Sequence, residues 1–502
     1  MLNKSRELFE SWNNNSLSYC HWKGNDHMME GLDGKTDLDV LLALPDKEKG
    51  CELLKEIGFV QFQSQYGSCF PNIEDWIGFD KESGSLLHLH LHFALITGHT
   101  GLMEYELPWT DEALKTRVKD PENGVFIINP NLELVTLYTR LILKTKRSWI
   151  RSAHHGNYRI DNHFRNEICY IKTNVNWSSV AEIASRYYGG MSGEFFEIVR
   201  TEELDSALFI RLYDIVNKMF KSNMRYHDMF LRLRILIIPL IVALRNKLKA
   251  MAIKTLITRK VKDSRHGCSI AFVGQDGSGK STLTEDIKKW LTWKIEAERF
   301  YLGSGDGYHS LYKKLLEKGS AILYKSKKKH TNENYHGSCE DGKKSLIKSA
   351  IVCWNKLLIA RHSYWVLSRA EKYSRKGGVA LFDRFPQMQF EGIYDGPRIS
   401  DYCKRHDCEY LLNRWLANRE QYYFNKIQQY QPVLVLKLLL PPEESIRRKP
   451  FENIGRIREK HRITQELVFP NSLVYEIDAT QPYQQELIEV KNIIWNTCFK
   501  NR

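Results

Sequence analysis

Between Cys268 and Thr282 the chain reads CSIAFVGQDGSGKST, and no other stretch restricts the fold as tightly. Gly274, Gly277, Gly279, Lys280 and Ser281 fit the spacing G-x-x-x-x-G-K-[ST]. Glycines are needed there so that successive backbone N–H groups can face one anion without side-chain obstruction. Ser278 and Thr282 complete the run of amides. Lys280 is expected to reach the outer phosphates of the ligand, the start of a helix near Ser281 adds its partial positive charge, and the Ser281 hydroxyl is placed to hold Mg²⁺. Ser269 to Val273 reads as a short apolar strand, and Leu283, Ile287, Trp290 and Leu291 follow at helical spacing. That is the strand–turn–helix context the spacing requires, so an α/β layer with a parallel sheet is expected around it.

The turn lies past the midpoint of a 502-residue chain, which is longer than one hydrophobic core usually serves. The patterning divides it into a domain over 1–145, a helical connector over 146–262 and a domain over 263–502. A formal charge of +14 suits the handling of polyanions, whether nucleotides, nucleic acid or a membrane surface, without choosing among them. The ten cysteines show no close pairs at zinc-finger spacing and MLNKSRELFESW has no apolar signal core, so a reducing, cytoplasmic setting is expected. The longest charge-free apolar run, 235–244, is too short to cross a bilayer. With Arg232, Arg234, Arg245 and Lys247 at its ends it reads either as a core helix or as a segment lying on an anionic membrane face.

In the first domain a helix over 5–14, a strand over 17–22 and the loop GNDHMMEGLDGKT lead into a strand over 37–44. Asp37 and Asp39, two apart on an extended backbone, share one face, and two carboxylates so placed can chelate a divalent cation. A helix over 47–57 and strands near 60–63 and 76–79 follow, then LHLHLHF, in which His88, His90 and His92 share a face while leucines pack behind. Imidazole suits Zn, Fe and Mn, although histidines on a hydrogen-bonded face need no metal. The order strand, Gly24-Asn25, loop and Thr36-Asp37-Leu38-Asp39 resembles the DNA polymerase β type of nucleotidyltransferase over about 15–145. That resemblance implies a Gly-Ser turn, an Asp-x-Asp strand and a third carboxylate on a neighbouring strand. Here Asn25 replaces the serine, and the strand expected to bring the third acid offers histidines, so Asp37 and Asp39, joined by His90 or His92, are read as the ligands of a second divalent metal in a site of weaker charge, and the domain is either catalytically altered or inert. Lys23 in WKGN lacks the K-x-D-G spacing of a ligase lysine. The helix read over 129–144, with an asparagine cap and a proline, is expected to close this domain.

After the glycine turn, ERFYLGSGDGYHS suggests a second strand ending in a loop around Gly303, Gly305, Asp306 and Gly307, beside the first where ligands bind in open α/β sheets. Residues 325–345 are lysine-rich and unpatterned and read as a surface insertion. A helix over 346–374 precedes Val379 to Phe382, which delivers Asp383 and Arg384 to the edge that carries the turn. An acid there orients Mg²⁺ or its waters, and a guanidinium grips an acceptor phosphate with two prongs. Together these stretches resemble the thymidylate kinase branch of the nucleoside monophosphate kinases over about 265–500, with Val433 to Leu440 as a later core strand, SIRRKPFENIGRIREKHR as the lid and VYEIDAT as the last strand. By that likeness Asp276 contacts the acceptor and Arg384 binds its phosphate with Arg361 as a second contact. Arg447, Arg448, Arg456 or Arg458 closes over the transferred group, and Asp478-Ala479 borders the donor base. LGSGDG stands where the family carries Arg-Glu-Pro-Gly-Gly, and FPQMQFEGIYDGPR lacks the usual nucleoside contact, so the acceptor need not be thymidylate.

The leading expectation is therefore an ATP- and Mg²⁺-dependent phosphotransferase acting on a nucleotide or phosphorylated small molecule, behind a nucleotidyltransferase-like domain. Two further readings stay open: a basic nucleic-acid-binding regulator or defence protein that uses ATP as a signal, and a membrane-peripheral partner in polysaccharide biosynthesis. Oligomeric state is not legible.

Overall fold

A computed structural model of the chain describes residues 1–64, 70, 72–99, 102–225, 237, 261–263, 267–302, 340–393, 395–450 and 453–500. The chain divides into two compact units, Met1–Val261 and Lys262–Arg502. Among the described residues no helix is long and apolar enough to cross a membrane. The run 235–244, apart from Ile237, lies outside the described residues, as do Gly303 to Gly307 and with them Asp306.

The first unit is built on a mixed sheet. Leu38–Leu42 lies at its centre, antiparallel to Tyr19–His21 and parallel to Leu86–His92, which in turn pairs antiparallel with Ile73–Phe79. Strand alternation sorts the two faces. Leu38, Val40, Leu87, Leu89 and Leu91 point to one side and are buried with Leu8, Phe9 and Trp12 of the Asn3–Asn14 helix and Leu54 of Lys47–Glu56. The opposite side carries Asp39, His88, His90 and His92. There, Leu41 and Trp22 join a core made by helices Pro130–Leu143, Asn162–Lys172, Trp177–Tyr188, Ser192–Arg200 and Ser206–Phe220.

This last core changes the expected division of the chain. Pro130–Leu143 starts as read, with the Asn129 side chain accepting from the Asn131 N–H and a proline in the first turn, but every residue from Leu132 to Leu143 is buried. A helix apolar all round needs cover on more than the side facing its sheet. The later helices supply it: Tyr188 stacks on Phe195 with ring centroids 3.8 Å apart, and its hydroxyl shares a hydrogen bond of 2.6 Å with Thr139. Residues 146–225 thus pack with the first unit instead of standing apart as a connector.

In the second unit five strands lie in the order Ala297–Phe300, Val379–Phe382, Ser269–Gly274, Leu434–Leu439, Leu473–Asp478, all parallel. Helices cover them, including Lys280–Leu291, Glu340–Arg375, Leu411–Ile427, Ile454–Glu466 and Tyr483–Trp495. The chain moves from the first strand to the edge, returns to its side, then crosses to the other side for the last two. That places a reversal of strand order at Ser269–Gly274, where a crevice opens beyond the carboxyl ends. Cys268, just ahead of this strand, is disulfide-bonded to Cys498 with Cα atoms 5.8 Å apart. The expectation of reduced thiols misses this pair because its members stand 230 residues apart in sequence.

The shared core of the first unit has a direct test. A fragment ending at residue 145 exposes the second buried side of Pro130–Leu143 and is expected to lack a cooperative thermal transition, whereas one ending at 225 melts cooperatively. Cooperative melting of the shorter fragment, followed by far-UV circular dichroism, would contradict that core.

Candidate active site

The glycine-rich turn leaves the end of Ser269–Gly274 and enters Lys280–Leu291. Gly277 and Gly279 have φ of 87° and 84°, left-handed values that cost other residues strain. A Cβ on Gly274 would stand 2.8 Å from the Leu438 carbonyl oxygen of the neighbouring strand. Ser278 and Gln275 are buried beneath the turn. Ser445 donates to the Asp276 carbonyl at 2.7 Å, and Arg448 donates to the Gly277 carbonyl at 3.3 Å and to that of Ala479 at 3.1 Å.

Lys280 donates to the Gln275 carbonyl at 2.7 Å. Burial, and then the nearby Arg384 guanidinium, push its ammonium down to about 7. Asp383 is buried at the end of Val379–Phe382, where it accepts the Ser281 hydroxyl at 3.0 Å and pairs with Arg299. Thus the turn and the Asp-Arg strand meet as the spacing implies. Thr282 lies with Gly277, Gly279, Lys280 and Ser281 along the open cavity that Asp383 and Arg384 also line.

An adjoining cavity carries Asp276, Lys280, Arg384, Arg398, Arg456 and Lys460 on its wall. Arg398 donates to Asp395 at 2.8 Å, and Arg384 approaches the same carboxylate at 3.9 Å. Asp276 is paired with Lys460. The lid arginines separate by position. Arg456 reaches the cavity wall, Arg448 braces the turn, and Arg447 is exposed in an ion pair with Glu444. Arg361, exposed on Glu340–Arg375, is not on this wall. Arg299, Arg398 and Lys460 were not singled out by spacing. All three depend on which strand, loop and helix end beside the glycine turn.

The first unit has a second polar cavity, lined by His21, Lys23, Gly24, Asp37, Asp39, Arg140, Lys144, His163 and Glu167 among others. Gly24 takes φ of 71°, and its N–H donates to Glu167 at 3.2 Å. Asn25 bridges His21 at 2.6 Å and Glu133 at 2.8 Å, which ties the turn to the helical layer. On the sheet, Asp39, His90 and Asp75 lie in register across three strands. His90 Nδ1 is 3.4 Å from Asp39 and its Nε2 is 2.9 Å from Asp75, while His88 spans Asp37 at 2.8 Å and Asp75 at 3.0 Å.

Asp75 is a third carboxylate that the sequence reading does not contain, one strand beyond the position where an acid is sought. Burial alone would raise it, but hydrogen bonds from His88 and His90 outweigh that and hold it well below the usual carboxylate range. His90 is raised to about 10 because its bonds to Asp39 and Asp75 exceed the effect of burial. His92, buried and 3.3 Å from Asp39, is pushed down to about 4 by burial. Asp37, paired with His88, is absent from the described groups whose ligand atoms converge closely enough for one ion.

No family model matches the chain. The Escherichia coli K12 protein described as "Uncharacterized ATP-binding protein YghR" is 28% identical over 229 residues, 45% of this chain and 86% of that protein. YghS of the same strain, described in the same terms, is 28% identical over 226 residues, 43% and 88% of the two chains. Among solved structures, deoxyadenosine kinase from M. mycoides with bound dATP aligns with 45% of this chain and 98% of its own at 14% identity and a TM-score of 0.27. Similarity at that level does not define a fold.

Burial, with the neighbouring Glu167 carboxylate adding to it against the Asn25 hydrogen bond, pushes Glu133 up to about 8 from its ordinary 4.5. The folded unit therefore holds a proton that the unfolded chain releases between these values, and stability falls as pH rises from 4.5 through 8. Glu133→Gln, which keeps an acceptor for Asn25, is expected to flatten that fall in denaturant melts of the first unit. An unchanged slope would show that Glu133 is ionised in the fold.

Proposed function

We propose that the Lys262–Arg502 unit is an ATP-dependent phosphotransferase of the thymidylate kinase-like P-loop kind, acting on a nucleotide or another phosphorylated small molecule. The observation that carries this reading is the half-buried Lys280 ammonium at a left-handed glycine turn, with Arg384, Arg398, Arg456 and Lys460 around the adjoining cavity. So many cations converging on a glycine turn that opens a helix call for a multiply charged anion. The descriptions of YghR and YghS as ATP-binding proteins support the same ligand.

In this reading the amides from Gly274 to Thr282 and the Lys280 ammonium bind the donor phosphates. The Ser281 hydroxyl and Asp383, 3.0 Å apart, fit the sparse oxygen set that Mg²⁺ takes from such sites. Ser281 and Asp383 would hold the ion, which would supply charge neutralisation at the phosphates. Arg384, with Arg398 steadied by Asp395, holds the acceptor's phosphate, and Asp276 stands at the boundary between the two cavities. Transfer forms a bond from an acceptor oxygen to the γ-phosphorus and breaks the bond to the leaving diphosphate. Arg456 then offsets the charge on the transferring oxygens.

The Met1–Val261 unit is read as a nucleotidyltransferase-like module with Asp39 on its central strand, Asp37 just ahead of it and His90 where an acid is expected. Its polar cavity, with Lys23, Arg140 and Lys144, suits a phosphate-bearing ligand.

Lys280→Ala is expected to abolish ATP turnover while the chain keeps its fold; wild-type turnover in an ATP-consumption assay over nucleoside monophosphates and phosphorylated sugars would refute the assignment. The two lid arginines should differ. Arg456→Ala is expected to lower kcat by about 10³-fold or more, in line with other transition-state arginines. Arg448→Ala, which removes a brace beneath the turn, is expected to act mainly on ATP affinity, read by titration with a fluorescent ATP analogue.

A further inference from the structure

We propose that Asp39, His90 and His92 in the first unit form a binding site for a single transition-metal ion of the zinc class, distinct from the Mg²⁺ position of the kinase reading and independent of that reading. The three residues each present one ligand atom, and these atoms lie within 4.8 Å of one another. Sheet pairing brings them together: His90 stands opposite Asp39 on parallel strands, and His92 follows His90 by one alternation on the same face. The Asp39 oxygen lies 3.4 Å from His90 Nδ1 and 3.3 Å from His92 Nε2. Tetrahedral ligands at ~2.0–2.1 Å from an ion are separated by about 3.3–3.4 Å. Octahedral neighbours around Mg²⁺ at about 2.0–2.1 Å stand nearer 3.0 Å. Two imidazoles and one carboxylate also match the donor preference of zinc and its neighbours over Mg²⁺ or Ca²⁺.

A second, independent feature is the support behind His90. Its other nitrogen, Nε2, is 2.9 Å from the buried Asp75 carboxylate, which is itself fixed by His88 at 3.0 Å and by the Ser64 hydroxyl. A carboxylate behind the far nitrogen of a ligating histidine sets that ring's orientation and raises its basicity, as in carboxylate–histidine–zinc arrangements. Asp37 takes part only at one remove, through His88. Three protein ligands leave a fourth position for water or a bound oxygen, the count found where a metal acts on a ligand. Asp39 also lines the cavity carrying Lys23, Arg140 and Lys144, so the class of ligand that suits this position is an oxyanion such as a phosphate. The Lys23 ammonium contacts the same Asp39 oxygen at 2.8 Å, and it competes with the ion for that oxygen.

The test uses the full chain, stripped with a chelator and titrated with Zn²⁺ against a chromophoric competitor, with Co²⁺ absorption as the report on coordination. One equivalent with the intense visible bands of tetrahedral Co²⁺ is expected. His92→Gln and Asp39→Asn should lose it, Asp75→Asn should weaken it by about 10–100-fold, and Lys23→Met should tighten it. Asp37→Asn should retain it, and a loss there equal to that of Asp39→Asn would overturn the assignment in favour of a paired-aspartate site. Absence of a competed equivalent in the wild type, or binding that survives His92→Gln, would also overturn it. If His92→Gln or Asp39→Asn fails to keep the wild-type circular dichroism spectrum, Lys23→Met decides: affinity no greater than wild type counts against the site.

Discussion

Lys280 is held where its charge is expensive. It is half-buried, its shortest contact is a carbonyl at 2.7 Å, and the largest charged influence on it is another cation, Arg384. A folded chain tolerates such a group only when the surrounding structure over-determines it, as functional sites commonly do. Three elements impose the position. The parallel sheet ends at Gly274, the left-handed glycines turn the backbone so that a helix must begin at Lys280, and Asp383 occupies the next strand end, already neutralised by Arg299. Asp383 and Asp395 favour the charged ammonium, yet burial and Arg384 outweigh them, and an anion is the species that restores balance.

The sequence reading reaches this centre for a physical reason. A glycine turn between a strand and a helix is a local structure, set by φ preferences and by residues within fifteen positions of one another, and Gly274, Gly277, Gly279, Lys280, Ser281 and Asp383 all fall where spacing implies. Val379–Phe382 even begins and ends as read, since four buried apolar residues between Gly378 and Asp383 admit little else. What local pattern cannot supply is strand order. Arg299 meets Asp383 because Ala297–Phe300 pairs with Val379–Phe382, and Lys460 meets Asp276 because the Ile454–Glu466 helix lies over the turn. Both pairs join residues more than eighty positions apart, and neither leaves a periodic trace.

The first unit shows the same limit more sharply. Alternation correctly puts His88, His90 and His92 on one face with Asp39, because a period of two needs no partner strand. The search for a third carboxylate then goes to the strand beside Asp39 and finds histidine. Asp75 is one strand farther, brought opposite His90 by an antiparallel register that no residue spacing announces. The division at 145/146 misses the shared core for a related reason. The burial of Pro130–Leu143 on all sides is visible only as unusual apolarity, and nothing in its own pattern says that the next five helices provide the cover.

The row Asp37, His88, Asp75, His90, Asp39 also bears on what replaces an acid in such a site. Carboxylates alone, this closely spaced and buried, would repel one another and drive protons back onto themselves. Interleaving each with an imidazole answers the repulsion with donors, so Asp39 and Asp75 stay ionised and depressed instead of raised. The same interleaving orders the rings, since Asp75, fixed by His88, stands behind His90 on the side away from Asp39.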